Sequence, residues 1–229
     1  MAKVTLENLN KIFVSKIGKD VKAVNDFNLL LEDGEILALL GSSGCGKTTT
    51  LRMIAGFETA TSGQIKIGER IVNDLKPADR NVAMAFEGYA LYPPLTVKDN
   101  IAFSLMREKI SKDKVDSKVM EVAELLEITD ILERYPPSIS GGQQQRVSLA
   151  RALVRDSDAL LLDEPMSQLE PQLRAVLRAR VKDYIQHNNK TVIFVTHDQT
   201  EAVALADKIA VMENGDLKQL ASPYEISAK

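Results

Sequence analysis

The stretch Gly41-Ser42-Ser43-Gly44-Cys45-Gly46-Lys47-Thr48 decides the fold of this chain. It matches the G-x-x-x-x-G-K-[ST] pattern of the P-loop, in which glycines let successive backbone N–H groups turn inward around phosphate oxygens. Lys47 can reach the outer phosphates of a nucleotide, and the Thr48 hydroxyl can bind Mg²⁺. The alternative is an ordinary Gly-Ser turn. The pattern predicts a nucleotide-phosphate site made of Gly41, Ser42, Ser43, Gly44, Cys45, Gly46, Lys47, Thr48 and Thr49.

The segments on either side of this loop have the properties that a P-loop needs. Residues 35–40 form a short apolar run that is typical of a buried strand. Residues 48–55 predict a helix, and the positive N-terminus of that helix would face the phosphates. A strand before the loop and a helix after it favour the phosphate site over the turn.

Composition limits the classes of function that the chain can have. The 229 residues suit one compact domain. The formal net charge of −3 argues against a nucleic-acid-binding protein. The single cysteine, Cys45, excludes an internal disulfide framework, and we expect it to be a small filler of the loop. No apolar run reaches transmembrane length and residues 1–5 lack the apolar core of a signal peptide, so we expect a soluble, cytosolic chain.

Hydrophobic patterns along the chain predict an α/β protein. Strands are predicted over residues 4–9, 22–31, 35–40, 64–72, 82–86, 158–164 and 191–196, with a terminal hairpin over 209–220. Helical stripes cover 111–127 and 173–184, and Asp198 is a good N-cap for a further helix. The alternation predicts an α/β sandwich around a mainly parallel sheet, interrupted by a helical insertion near residues 88–157.

We expect these elements to form a single domain that contains an insertion. Residues 1–87 and 158–229 are predicted to form the core. Residues 88–157 are predicted to form the helical subdomain, because their apolar residues follow a helical period.

Two acidic residues follow the apolar run of residues 160–162. Ligands of open α/β sheets bind at the carboxyl ends of strands, so this position is suited to a site. We expect Asp163 to hold Mg²⁺ through water, and Glu164 to accept a proton from the attacking water. The alternative is a polar strand end that begins a loop.

Two further motifs lie later in the chain. A helical run is preceded by Ser140, Gly141, Gly142 and Gln143. Ser140 is a good N-cap, and the glycines expose backbone N–H groups. This predicts a second anion site, which serves the phosphate of another molecule. His197 follows a predicted strand and can donate to a γ-phosphate oxygen, although a loop or core histidine is the commoner case.

The order of these motifs, GSSGCGKT, ISGGQ, LLLDEP and TH, resembles the nucleotide-binding subunit of ABC transporters over essentially the whole chain. The resemblance implies an α/β fold: a P-loop NTPase (RecA-like) core with a mainly parallel sheet, an antiparallel N-terminal β-subdomain within residues 1–87, and a helical subdomain over residues 88–157. It implies ATP and Mg²⁺ as cofactors and hydrolysis of ATP, with Glu164, His197 and Lys47 as the catalytic residues. It also implies a head-to-tail dimer, in which each ATP lies between residues 41–49 of one subunit and residues 140–143 of the other. Phe13 falls where the family places an aromatic residue that stacks on adenine, whereas one Phe near a strand end is more often a core residue.

Residues 89–97 and 196–202 resemble the corresponding segments of bacterial importer ATPases for sugars and related solutes. Polyamine and anion importers have similar sequences in these segments. The implied partners are a second ATPase subunit, two transmembrane permease subunits and, indirectly, a solute-binding protein, with no nucleic acid. The implied location is the cytoplasmic face of the inner membrane, where the chain would be peripheral. Such relatives usually continue into a C-terminal regulatory domain, which we expect to be absent here. Either the sequence has been shortened, or the subunit is naturally short.

Two positions depart from the family pattern. Glu87 stands where the family normally has a glutamine that serves Mg²⁺, and Glu170 stands where it has an aspartate. A glutamate offers only acceptor oxygens and adds negative charge near Asp163 and Glu164, so it should raise the pKa of a carboxyl group or weaken the metal site. We hypothesise that this subunit pairs with a different ATPase subunit whose sequence is more regular.

Two other classes of function compete with the transporter interpretation. A non-transport ABC ATPase would act on DNA or ribosomes, but the chain has neither a long heptad insertion nor a basic tract. A GTPase would need an N-K-x-D motif, and residues 189–192 have valine in place of the acid. A small P-loop kinase would have no need of the second anion site at residues 140–143, so the presence of that motif argues against a kinase.

Overall fold

The computed structural model describes residues 2–15, 18–106 and 108–227. In chain order the strands are β1 Val4–Phe13, β2 Val21–Leu31, β3 Ile36–Leu40, β4 Ser62–Ile67, β5 Arg70–Ile71, β6 Val82–Ala85, β7 Ala159–Asp163, β8 Val192–Thr196, β9 Lys208–Glu213 and β10 Asp216–Ala221. The helices are α1 Lys47–Ala55, α2 Val97–Phe103, α3 Lys112–Leu125, α4 Gly141–Leu153, α5 Pro171–His187, α6 Gln199–Leu205 and α7 Pro223–Ser227. Short 3₁₀ turns occur at Pro77–Asp79, Thr129–Ile131 and Pro136–Ser138.

A six-stranded sheet forms the centre of the fold, with the strand order β10-β9-β3-β8-β7-β6. Neighbouring strands from β9 to β6 run parallel, and only β10 is antiparallel to its neighbour. The mainly parallel sheet is therefore confirmed. Because Leu40 pairs with Thr196 and Asp163 with Val195, β3, β8 and β7 end at the same edge of the sheet.

The N-terminal part of the chain forms a separate antiparallel sheet with the strand order β2-β1-β4-β5, as predicted. The single strand predicted over 64–72 is wrong. The chain reverses after Ile67, which pairs with Arg70 across a tight turn, and Gly68 has a φ of 61° there. A glycine adopts this left-handed conformation without a Cβ clash, so the apolar alternation continues through what is in fact a hairpin.

Both faces of the central sheet are covered. Along β3, Ile36, Ala38 and Leu40 belong to one hydrophobic cluster, while Leu37 and Leu39 belong to another. The first cluster contains residues of α2, α3, α4 and α5, and the second contains residues of α1 and the N-terminal sheet. Since helices or a sheet cover both faces, the carboxyl edge of the strands is the part of the sheet left for a ligand.

Three helix features bear on the sequence predictions. Ser140 and Asp198 are N-caps, of α4 and α6 respectively, as predicted. The short helix α2 was not predicted, although Thr96 caps it by accepting from the N–H of Asp99, a signal that residues 96–99 carry. Within residues 2–15, 18–106 and 108–227, no helix is both long enough and apolar enough to cross a membrane.

Candidate active site

The P-loop lies between the end of β3 and the start of α1, at the carboxyl edge of the central sheet. The ammonium group of Lys47 lies inside the loop, where it donates to the carbonyl oxygens of Gly41 and Ser42 at 2.8 Å each. Cys45 is buried, and its Sγ lies 3.7 Å from Lys47 Nζ, in agreement with the predicted filler. Together the loop and the lysine form a concave, positively charged site that suits phosphate oxygens.

A hydroxyl and a carboxylate meet beside the loop. Thr48 Oγ1 donates to Asp163 Oδ1 at 3.1 Å, and Asp163 is the buried last residue of β7. Burial raises the pKa of Asp163; the bond from Thr48 opposes this shift, and the charges of Glu87 and Glu164 add to it. A divalent cation fits here, because it would offset this crowding of negative charge and prefers oxygen ligands.

No cluster of three or more His, Cys, Asp or Glu side chains able to hold a metal ion occurs in the described part of the chain. A cation held by Thr48 and Asp163 could complete its set of ligands with water and with oxygens of a bound phosphate. Mg²⁺ commonly binds in this way, since it keeps several waters and uses few protein carboxylates.

Glu164 and His197 form a hydrogen-bonded pair one residue beyond the ends of β7 and β8. His197 Nδ1 lies 3.0 Å from both carboxylate oxygens of Glu164. This hydrogen bond, followed by the charge of Glu164, raises the pKa of His197. The His197 side chain is 68% exposed whereas that of Glu164 is 15% exposed, so the histidine covers the carboxylate on its solvent side.

A cavity of about 660 Å³ brings half of the predicted site residues together. Its volume lies in the range of ligand-binding clefts. Its lining includes the predicted residues Ser43, Gly44, Gly46, Lys47, Thr48, Thr49, Glu87, Glu164 and His197. Four lining residues, Ala23, Ser167, Gln168 and Val195, were not predicted as site residues. Ala23 and Val195 carry no chemical signal in the sequence, and only the chain path brings them to the cavity.

The segment Ser140–Gln143 does not line this cavity. Ser140 Oγ accepts from the N–H of Gln143, and Gln143 Oε1 accepts from the N–H of Ser140 at 2.9 Å, so the two residues form a capping box at the start of α4. Ser140 and Gly141 are exposed. The structure therefore keeps this helix start apart from the P-loop cavity of the same chain.

Glu87 lines the cavity, whereas Phe13 is not among its lining residues. Phe13, the last residue of β1, is 41% exposed, and Lys11 Nζ lies 4.8 Å from the centre of its ring. The view that this Phe is a core residue is therefore wrong. Glu87 lies two residues after β6 and lines the cavity, where its charge adds to the raised pKa of Asp163.

Behind His197, Glu201 is a buried acid that is 3% exposed. Its Oε2 accepts from Thr196 Oγ1 at 2.5 Å, while its Oε1 is among the buried atoms without a partner in the described part of the chain. Burial raises the pKa of Glu201; the bond from Thr196 and the charge of Arg174 oppose this, and Glu164 and Asp198 add to it. The folded state therefore favours the protonated form of this acid.

We expect Glu201→Gln to reduce the loss of stability on raising the pH. Because the folded pKa lies above the ordinary value of 4.5, the folded state holds a proton that the unfolded state has lost. Stability then falls as the pH rises from that value through the folded pKa, and glutamine removes this contribution. Urea unfolding at about pH 5 and about pH 8 measures it. Glu213→Gln, at an exposed glutamate, should keep the parent pH dependence, and equal behaviour of the two variants would contradict the prediction.

Comparison with known proteins shows which family the chain resembles. Residues 24–167 match the family model described as ABC transporter. The trehalose/maltose import ATP-binding protein MalK of Thermococcus litoralis is 48% identical over 235 residues, which cover 100% of this chain and 62% of that protein. The sn-glycerol-3-phosphate import ATP-binding protein UgpC of Rhodopseudomonas palustris is 46% identical over 229 residues, which cover 100% of this chain and 62% of that protein. The chain thus spans less than two thirds of the length of these relatives.

Solved structures agree with the fold. A dimeric ATP-binding cassette in a post-hydrolysis state, bound to ADP and Pi, superposes with a TM-score of 0.88 at 27% identity and covers 96% of this chain and 98% of its own. A dimeric bacterial ABC transporter cassette gives the same TM-score at 26% identity, with the same coverage. The predicted α/β architecture with an antiparallel N-terminal sheet is confirmed by these superpositions.

Proposed function

The chain belongs to the ABC transporter family, and on that premise we propose that it binds and hydrolyses ATP to power a membrane importer of sugars or related small solutes. The observation that carries the proposal is the meeting of Lys47, Thr48, Asp163, Glu164 and His197 at one edge of the sheet. The names of the two relatives, as import ATP-binding proteins for a sugar and for glycerol-3-phosphate, support the importer.

The P-loop and its neighbours would hold ATP together with Mg²⁺. The backbone N–H groups of residues 41–49 and the Lys47 ammonium would bind the phosphates. The Thr48 hydroxyl and the Asp163 carboxylate would hold Mg²⁺, which supplies positive charge to the phosphate oxygens. Glu87 lies close enough to influence the charge of Asp163, and in place of a neutral amide it adds a third carboxylate to the site.

Glu164 is the proposed general base. Its carboxylate would accept a proton from the attacking water as the bond from oxygen to the γ-phosphorus forms. His197 holds this carboxylate in place through Nδ1, and its second ring nitrogen is the candidate donor to a γ-phosphate oxygen. This contact helps to keep the base oriented, and the orientation of the base matters for proton transfer.

The start of α4 is the proposed second phosphate site, used by the nucleotide of a partner subunit. Ser140, Gly141, Gly142 and Gln143 lie outside the cavity of their own chain, and both superposed cassettes are dimeric. Phe13, exposed at the end of β1, is the proposed adenine contact.

In a transporter, residues 88–157 would form the helical subdomain that contacts two permease subunits through the region of residues 89–97. The subunit would be peripheral, at the cytoplasmic face of the membrane.

Replacing Lys47 tests nucleotide binding directly. Lys47→Ala removes the ammonium that lies inside the P-loop, and charge-assisted hydrogen bonds are strong enough that ATP affinity should fall by ~10- to 100-fold. Titration with a fluorescent ATP analogue measures the affinity. Lys218→Ala, which removes an exposed lysine on β10, should bind like the parent. If Lys47→Ala binds as tightly as the parent, the P-loop is not the site.

Isolation of the tagged protein from native membranes tests the transporter part of the proposal. Recovery with permease subunits would support it, and the identity of those subunits would narrow the solute. A second, different ATPase in the same complex would support the mixed dimer that Glu87 and Glu170 suggest. Recovery with ribosomes or DNA-repair proteins and without a membrane partner would contradict the transporter and favour the non-transport alternative.

A further inference from the structure

The side chain of Gln145 connects α4 to the turn that carries Glu164. Gln145 is buried, 3% exposed, in the first turns of α4. Its Nε2 donates to the carbonyl oxygen of Glu164 at 2.9 Å and to Ser167 Oγ at 3.1 Å. Its Oε1 accepts from the N–H of Gln168 at 2.9 Å. Both amide hydrogens and the amide oxygen are therefore engaged with the same five-residue turn, residues 164–168.

This turn needs to be held by its surroundings. Glu164 has a φ of 48°, a left-handed conformation that a residue with a side chain keeps only where neighbouring structure imposes it. Its carbonyl oxygen accepts from Ser167 Oγ at 3.2 Å as well as from Gln145. Of these two donors, only Gln145 comes from another element of the fold. Ser167 and Gln168 also line the cavity, so a shift of this turn would alter the site.

The first turn of α4 packs directly on the same segment. A Cβ added to Gly142 would lie 3.2 Å from the carbonyl oxygen of Gln168 and 3.6 Å from Leu169 Cδ2. A helix of 13 residues moves as one body. A shift of residues 140–143 would therefore move the surface on which the backbone of residues 164–168 rests. Gln145 supplies the directional part of that link.

We propose that Gln145 is a positioning residue for Glu164: it fixes the backbone of the 164–168 turn against the start of α4 and thereby sets the direction of the Glu164 carboxylate. The proposal rests on the proposed function, in which Glu164 serves the nucleotide of its own chain and residues 140–143 serve that of the partner. One buried side chain then lies between the two.

The neighbouring residue supplies a matched control. Arg146 also anchors α4 through hydrogen bonds to carbonyl oxygens, those of Leu126 at 3.0 Å and Glu127 at 2.6 Å. These partners lie at the end of α3, away from the 164–168 turn. Arg146→Met therefore removes an anchor of the same helix without touching Glu164, whereas Gln145→Met removes all three bonds to the turn at similar side-chain volume.

The test compares ATP hydrolysis, ATP affinity and thermal stability of the parent, Gln145→Met and Arg146→Met. We expect Gln145→Met to lower kcat by ~10- to 100-fold with ATP affinity unchanged, because a misplaced base slows the chemical step. Arg146→Met should lower Tm by as much or more and keep the parent kcat. Equal kcat values in the parent and Gln145→Met, or equal losses of kcat in both variants, would overturn the proposal.

Hydrogen exchange of the peptide covering residues 160–170 separates this proposal from the function on which it rests. In Gln145→Met, the amides of residues 164–168 should exchange faster than in the parent and in Arg146→Met, whether or not the chain hydrolyses ATP. A parent without ATPase activity, together with this faster exchange, would refute the function and leave the positioning of the turn standing. Unchanged exchange in the turn would overturn the positioning itself.

Discussion

Glu164→Gln is expected to bind ATP like the parent and to lose ~100- to 10,000-fold in the rate of hydrolysis, because the proposed base can no longer accept a proton. Glutamine has nearly the same shape, and the phosphate contacts of the P-loop are separate from this side chain, so affinity should be kept. The glutamine oxygen can still accept from His197, but the negative charge is lost, which removes the second cause of the raised pKa of that histidine. Phosphate release and binding of a fluorescent ATP analogue, measured on the same preparation, separate the two effects.

A conservative change elsewhere provides the comparison. Glu213→Gln makes the same chemical substitution at an exposed residue at the end of β9 and should leave both binding and hydrolysis at the parent level. Near-normal turnover by Glu164→Gln would show that the base lies elsewhere. Loss of ATP binding in Glu164→Gln would show that the carboxylate contributes to the ground-state complex, contrary to the role proposed.

Gly46→Ala is expected to destabilise the protein far more than Gly44→Ala, although both glycines belong to the P-loop and both have positive φ, 107° and 77°. A Cβ at Gly46 would lie 2.2 Å from the carbonyl oxygen of Ala23, which is backbone and cannot turn aside, whereas a Cβ at Gly44 meets nothing within 4 Å. Backbone strain alone costs ~1–3 kcal/mol, and overpacking adds ~1–3 kcal/mol. We therefore expect about 1 kcal/mol for Gly44→Ala and about 4 kcal/mol for Gly46→Ala.

Thermal unfolding checks this prediction. At the ~2–4 °C per kcal/mol that applies to chains of this size, Gly46→Ala should lower Tm by ~8–16 °C and Gly44→Ala by ~2–4 °C. The matched pair isolates the effect of the close approach, since the left-handed backbone is common to both. Similar Tm values for the two variants would mean that the P-loop relaxes around the new methyl group, and that the carbonyl of Ala23 does not set its path.

Much of the fold could be predicted because its signals are local. The P-loop pattern, the fully apolar strands β3, β7 and β8, and the capping residue Ser140 are each contained in a few consecutive residues. The same holds for the acids after β7, since an apolar strand that ends in Asp163 and Glu164 places them at the sheet edge whatever the rest of the chain does.

Other features could not be predicted because they depend on partners far along the chain. The residues around Gly68 predict one strand, but the chain reverses there, since the apolar alternation alone does not show where a strand ends. For Phe13 the sequence leaves both an adenine contact and a core position open, and the end of β1 leaves the side chain exposed. Gln145 sits in a polar run and has no local signal for its role; it is a site neighbour only because α4 packs against the turn after β7.

The sequence by itself determined the chemistry available to this protein, namely a phosphate-binding loop, two acids at a strand end, a histidine after another strand and a capped glycine-rich helix start. Only the tertiary structure decided how these groups meet. The register of β3, β8 and β7 brings Lys47, Glu164 and His197 to one edge, and the packing of α4 leaves Ser140–Gln143 outside their cavity. The physical reason is that residue type and spacing specify short-range geometry, whereas distances between remote segments are set by burial of both faces of the sheet.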